Sequence, residues 1–140
     1  MPTEQEAVNT IFGAFNTAWE TNPSFLVVWP NKTPEIEVLK QKNPWAFVKI
    51  VTGKGRQMSL AGADGKKIWE RKGQFGCEIY TPSGEGTVRA YVLARLVESA
   101  FIGKTIEKVR FRAIQIKEGG VHGNWFLINV IVDFEYDELI

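Results

Sequence analysis

Any chemistry in this chain has to come from a short set of side chains. His122 is the only histidine and Cys77 the only cysteine. A metal at His122 would need at least two further ligands, and the sequence contains no HxH, HExxH or CxxC spacing. His122 instead lies among Gly119, Gly120 and Gly123, so an exposed turn histidine is expected there. Cys77 could act as a nucleophile only beside a base. Its segment alternates as a strand does, and free cysteine is among the most buried residue types, so a buried thiol is expected.

The run Ser83, Gly84, Glu85, Gly86, Thr87 precedes an apolar helical pattern. A glycine-rich turn at a helix start can hold phosphate on its free N–H groups, and a small-molecule or nucleotide-binding domain built on this turn is the alternative reading. Neither GxxxxGK[ST] nor GxGxxG is present, however, so a turn followed by a Thr87 cap is favoured. Glu78 with Glu85, or Asp133 with Glu135, could form an acid and base pair only inside a cleft, and nothing in the sequence brings either set into one. Asp133, Glu135 and Asp137 alternate and are expected on the solvated side of the last strand. The reading is of a protein without catalytic residues, cofactor or metal.

Charge distribution is more informative than any motif. Lys49, Lys54, Arg56, Lys66, Lys67, Arg71 and Lys72 crowd one stretch against only Asp64 and Glu70, whereas Asp133, Glu135, Asp137 and Glu138 make the carboxyl end acidic. The hairpin of one copy could therefore meet the tail of another in a heterologous, ring-forming contact. Lys54, Arg56, Lys66, Lys67, Glu135 and Asp137 are the candidate interface residues. The competing reading is a charged, solvated hairpin that blocks edge-to-edge aggregation. No RNA-binding signature is present, and sequence-specific nucleic-acid binding is not expected.

The elements that must position these residues fit one domain spanning residues 1–140. Seventeen basic and 16 acidic residues leave a net charge of +1, which excludes a global field for nucleic acid or anionic lipid. The hydrophobic fraction of 44% is that of a globular protein with a real core. One cysteine cannot form an intrachain disulfide, so a reducing compartment is expected. The polar start, Met1 to Glu6, lacks the pattern of a signal peptide, and apolar runs such as Phe25 to Trp29 are too short to cross a bilayer.

Thr3 and Glu6 have capping-box spacing, and Ala7, Val8, Ile11, Phe12, Phe15, Ala18 and Trp19 then recur on one helical face until Asn22 and Pro23. Phe25 to Trp29 predicts a short strand, and Asn31 to Asn43 a surface loop. Trp45 to Thr52 predicts a strand with Trp45, Phe47 and Val51 on one face and Ala46, Val48 and Ile50 on the other. A strand over Arg56 to Leu60 is expected to pair with it across Gly53 and Gly55, followed by a glycine-rich loop from Ala61 to Lys66. Ile68 to Thr81 predicts a long strand with a bulge or bend at Gly73 and Gly76. A second helix, with Tyr91, Val92, Ala94, Leu96, Val97, Ala100 and Phe101 covering more than one face, ends at Gly103. Val109 to Lys117 and Trp125 to Tyr136 predict a closing hairpin. The expected fold class is α+β, a single curved, mainly antiparallel sheet with two helices packed on it.

This layout resembles the tail-terminator, or tail-completion, proteins of phages and prophages with long non-contractile tails. The resemblance is carried by Pro44-Trp45-Ala46-Phe47-Val48-Lys49-Ile50, Arg56-Gln57-Met58-Ser59-Leu60, and Arg71-Lys72-Gly73-Gln74-Phe75 leading to Ile79-Tyr80-Thr81-Pro82-Ser83-Gly84-Glu85-Gly86. It continues through Ala100-Phe101-Ile102-Gly103-Lys104, Val109-Arg110-Phe111-Arg112 and the ending Asp133-Phe134-Glu135-Tyr136-Asp137. It implies a structural virion protein, assembled in the bacterial host cytoplasm and located in the virion tail. As a subunit of a ring, usually a hexamer, it would cap the finished tail tube, stop its polymerisation and offer a surface for head-tail joining. The implied partners are further copies of itself, the tail tube protein and the head-tail connector protein. The resemblance implies no cofactor and carries over no catalytic residue, so the six interface candidates rest on charge and loop position alone. Another head-tail connector subunit is the neighbouring alternative.

Overall fold

Thr3 opens the first element: its Oγ1 accepts from the Glu6 N–H at 3.2 Å, as the spacing predicts. Glu4 and Glu6 sit in the first turn, where negative charge suits the helix dipole. Helix α1 spans Glu4–Trp19 and buries Ala7, Ile11, Phe15 and Trp19. The computed structural model describes residues 2–21, 25–30, 43–58 and 66–139. Asn22 and Pro23, most of the expected loop from Asn31 to Asn43, and Ser59 to Gly65 lie outside the described residues.

The remaining elements, in chain order, are β1 (Leu26–Val28), β2 (Trp45–Thr52), β3 (Arg56–Gln57), β4 (Ile68–Pro82), α2 (Val88–Phe101), β5 (Thr105–Ile106), β6 (Val109–His122) and β7 (Trp125–Leu139). The strands form one curled sheet in the order β1-β2-β4-β7-β6-β5, with β3 also on β4. β1 runs parallel to β2, and every other pair is antiparallel. The fold is α+β, with a curved, mainly antiparallel sheet and two helices on it.

Strand alternation sorts the side chains as the sequence predicts. Ala46, Val48, Phe75, Cys77, Ile79, Ile128, Val130, Val132 and Phe134 are buried in the same core as the two helices. Phe75 sits at its centre, with ring centroids 5.7 Å from Phe15 on α1 and 5.2 Å from Phe101 on α2. Such tilted pairs add a directional term to the burial of large aromatic surface. On the opposite face Trp45 stacks on Tyr80 at 4.1 Å and meets Trp125 edge-on at 5.9 Å.

Four local expectations need correction. β3 does not pair with β2: it pairs with β4, with Arg56 opposite Glu70 and Gln57 opposite Trp69. Gly53 to Gly55 therefore form an irregular joint along one edge, not a hairpin turn, and Gly53 N–H still donates to Lys72 O at 2.7 Å. Nor is β4 broken at Gly73 or Gly76, for its register is continuous against both β2 and β7. Gly73 serves close approach instead, because a Cβ there would lie 2.7 Å from both the Phe134 ring and Val51 O. The irregularities fall on β6, between Phe111 and Ile114 and between Glu118 and Gly120.

The third correction concerns Thr87, which occupies the N-cap of α2 but makes no side-chain cap bond; its own backbone is helical. The fourth is the burial of α2. Ala90, Leu93, Ala94, Val97 and Phe101 are buried, whereas Tyr91 and Val92 from the expected set are exposed, with Val88 beside them. Gly103 does adopt the positive φ expected after the helix, at 66°. The β6–β7 hairpin forms as predicted but is longer at both ends, turning at Gly123 with φ 62°.

Candidate functional site

The acidic end of the chain becomes a ladder of ion pairs once β7 is placed between β4 and β6. Register puts Arg110 opposite Glu135 on one side and Lys72 opposite Glu135 on the other. Arg110 reaches Glu135 at 3.3 Å and Asp137 at 3.4 Å, and Arg112 Nη2 reaches Glu135 at 2.6 Å. Beyond them Arg71 holds Glu138 at 3.1 Å, and Gln74 donates to Asp133 at 2.9 Å. Hydrogen bonds from Arg112 hold the Glu135 carboxyl below the usual range, against the opposing effect of burial, with Arg110 adding to the shift. Burial opposes the charge on Arg110, but Glu135 and Asp137 together raise its affinity for the proton.

Two of the six candidate interface residues, Glu135 and Asp137, are therefore half-buried and engaged within their own chain. They occupy the face of β7 turned away from the helices, as alternation predicts. Arg110 and Arg112 were missed as their partners. The signal was available: two arginines at alternate positions of one strand match carboxylates at alternate positions of the next.

The basic candidates are in a different state. Arg56 pairs with Glu70 at 3.7 Å, and Lys72 reaches the same carboxylate at 3.5 Å. Lys54 lines a shallow recess of about 380 Å³ with Arg56, Glu70 and Lys72. Lys66 and Lys67 are exposed just before β4 and form no ion pair among the described residues. The sheet thus brings the hairpin and the tail side by side within one molecule, since Glu70 faces Asp137 in register.

The other singled-out residues fall where the conformational reading puts them, except that His122 ends β6 opposite Trp125 and does not lie in the turn. His122 is exposed, with Nε2 2.8 Å from Gly119 O. Cys77 is fully buried, and burial together with Glu78 pushes its thiol far above the usual range. Glu78 accepts from the Tyr80 hydroxyl at 2.9 Å, and Glu85 pairs with Arg89 on α2, so the two carboxylates do not form an acid and base pair. Ser83 to Thr87 make an exposed turn, with Gly84 and Gly86 at positive φ. Among the described residues no group of three or more His, Cys, Asp or Glu could hold a metal, and no helix is long and apolar enough to cross a membrane.

Two further surfaces were not foreseen. An open groove of about 580 Å³ lies between α1 and α2, lined by small or apolar residues such as Gly13, Ala14, Leu96 and Ala100. Large apolar side chains also lie outside the core: Val88 is 78% exposed, Val121 65%, Val92 60%, Val51 59% and Met58 50%.

No known protein family matches the sequence, and no curated protein does. A solved structure, of a protein whose name states no activity, matches over 96% of this chain and 96% of its own with a TM-score of 0.66. The two are 16% identical, so the likeness shows the fold alone.

Proposed function

We propose that this chain is a structural subunit that assembles with copies of itself into a ring, and that the ring caps a phage tail tube and provides the surface for head-tail joining. The observation that carries the assembly part is the exposure of Val88, Val92, Val121, Val51 and Met58, which a lone chain leaves in water. Val88 and Val92, four residues apart, share one exposed face of α2, and apolar side chains presented together in this way are what a protein–protein contact covers. The phage tail part rests on the resemblance of the strand, turn and helix layout.

In this reading the sheet and α2 form a rigid wedge, and the work is done by contact between wedges. Tube protein and connector protein would meet the two rims of the ring. Native mass spectrometry with negative-stain imaging tests the proposal. A closed ring of copies, and its binding to tail tubes, is the expected result. A chain that stays monomeric at high concentration overturns it.

A further inference from the structure

Ala90, Leu93, Ala94, Val97 and Phe101 turn one side of α2 to the core, so Val88, Val92 and Ser99 lie on its opposite side, away from the sheet. Two features share that side of the molecule. One is the apolar ridge of Val88 and Val92 at the start of α2, both largely exposed. The other is the open groove of about 580 Å³ beside the second half of the same helix. Its walls include Gly13, Ala14 and Thr17 of α1 and Leu96, Ser99 and Ala100 of α2.

The groove suits an apolar occupant. The Thr17 hydroxyl donates to Gly13 O at 3.0 Å and the Ser99 hydroxyl to Leu96 O at 2.7 Å, so each is already satisfied by its own helix. Gly13 adds a second sign. A glycine inside a helix is less favourable than alanine by about 1 kcal/mol, yet a Cβ at Gly13 would meet nothing within 4 Å among the described residues. No neighbour in the chain accounts for the missing side chain. The space it leaves opens to the outside.

Ridge and groove belong to the same side of one chain, so a second copy that fills the groove with its ridge has to be turned to face the first. We propose that two copies pair across a two-fold axis, their α2 helices antiparallel and crossing near Leu96, with Val88 and Val92 of each entering the groove between α1 and α2 of the other. Packed helices cross at an angle, which carries the first half of each α2 sideways into the space beside α1 of its partner. The contact is self-complementary, as a two-fold requires, because each copy receives what it gives. The inference goes beyond the ring reading. A two-fold contact closes at two copies, and a ring needs a further contact between such pairs.

Charge favours the same direction. The start of α2 carries Glu85 and Arg89, 3.5 Å apart. The far end of the groove carries Lys104 and Glu107, which form no ion pair among the described residues. Antiparallel helices bring each start to the other's far end, Glu85 toward Lys104 and Arg89 toward Glu107, a match of opposite signs. Near the axis the exposed Arg95 lies 3.7 Å from Glu98 of its own chain, and Glu98 of the other copy comes beside it, which offsets the approach of the two arginines. A parallel pairing would instead set the two valine ridges against each other and leave both grooves empty.

Two variants test the contact. Gly13→Leu fills the groove, and because the space is open and leucine is the better helix former, its melting temperature should be unchanged or higher. Its dissociation constant by sedimentation equilibrium should rise roughly tenfold or more. The double variant Val92→Cys, Ser99→Cys, oxidised with diamide, should give a covalent dimer and nothing larger on a non-reducing gel, since the two-fold sets each new cysteine beside the other kind. Within one chain the two sites are seven residues apart along a helix, roughly 10 Å, too far to bridge, and buried Cys77 should stay out of the reaction. A covalent ladder in place of the dimer overturns the two-fold. A native oligomer that Gly13→Leu leaves unchanged, with no covalent dimer, overturns this contact and leaves the ring reading intact. A dimer alone that Gly13→Leu dissociates upholds the contact and overturns the ring, whereas a ring that Gly13→Leu weakens, with the covalent dimer formed, upholds both. A wild-type chain that stays monomeric at high concentration overturns both.

Discussion

The acidic end of β7 and the basic β3–β4 hairpin lie side by side in one sheet, yet their charges are in opposite states. On β7, Glu135, Asp137 and Glu138 each hold an arginine of a neighbouring strand. On the hairpin, Lys72 and Arg56 share one carboxylate, Glu70, while Lys66 and Lys67 stand exposed beyond it. A run of like charge in a sequence is therefore no measure of available charge. Strand pairing decides which charges are already satisfied, and it leaves the basic tip as the part open to an anionic partner.

Both regions depend on Phe134, which is 3% exposed, and whose ring lies over Gly73 of β4 while its backbone pairs with Phe111 of β6. Phe134→Ala should cost about 3–5 kcal/mol, the range for truncating a buried phenylalanine. Urea unfolding would measure it. A loss well below that range would mean the charged strands are held by their ion pairs and not by the core beneath them. Gly73→Ala probes the same junction from the other strand. Its Cβ would meet Val51 O, which belongs to the backbone and cannot swing aside, and the Phe134 ring. A destabilisation of about 1–3 kcal/mol is expected for such overpacking, read as a lower melting temperature without loss of the sheet signal.

Glu135→Gln tests the paired side. It removes the charge that Arg110 and Arg112 share, at an expected cost of ~1 kcal/mol near neutral pH. The pH dependence has a definite sign. Because the folded carboxyl is held below its unfolded value, its contribution is present above the unfolded pKa of about 4.3 and is lost as pH falls through the folded value. The gap between wild type and variant should therefore close on acidification. A gap that persists in acid would show that shape, not charge, holds the ladder.

Much of the fold was legible in the sequence because burial has a period. Ala7, Ile11, Phe15 and Trp19 announce α1, and the alternation of Trp45 to Ile50 announces both faces of β2. Turn chemistry was less reliable. Gly53 and Gly55 read as a hairpin, but the chain runs past them along the same edge of β4, because pairing partners are chosen by the whole sheet. Gly73 read as a bulge, but its missing side chain makes room for Phe134, a partner far away in sequence. Which of the candidate charges are engaged within the chain was half legible for the same reason. Lys66 and Lys67 were placed correctly as exposed, whereas Glu135 and Asp137 could be seen as engaged only after β6 was set beside β7.

The smallest expected effect on stability separates the two regions most sharply. Lys66→Glu with Lys67→Glu reverses two exposed charges that have no ion-pair partner among the described residues, so the monomer should change by no more than about 0.5 kcal/mol. If the basic tip meets an anionic surface of a neighbouring copy, the same double variant should lower the oligomer mass seen by native mass spectrometry. The effect should be larger at low salt, where exposed charges are less screened. Glu135 of that neighbour is a poor acceptor, since two arginines already hold it, so a charge contact would have to use other carboxylates. An unchanged oligomer at low salt would remove the tip from the interface. A reduced oligomer would place the tip at the contact between copies.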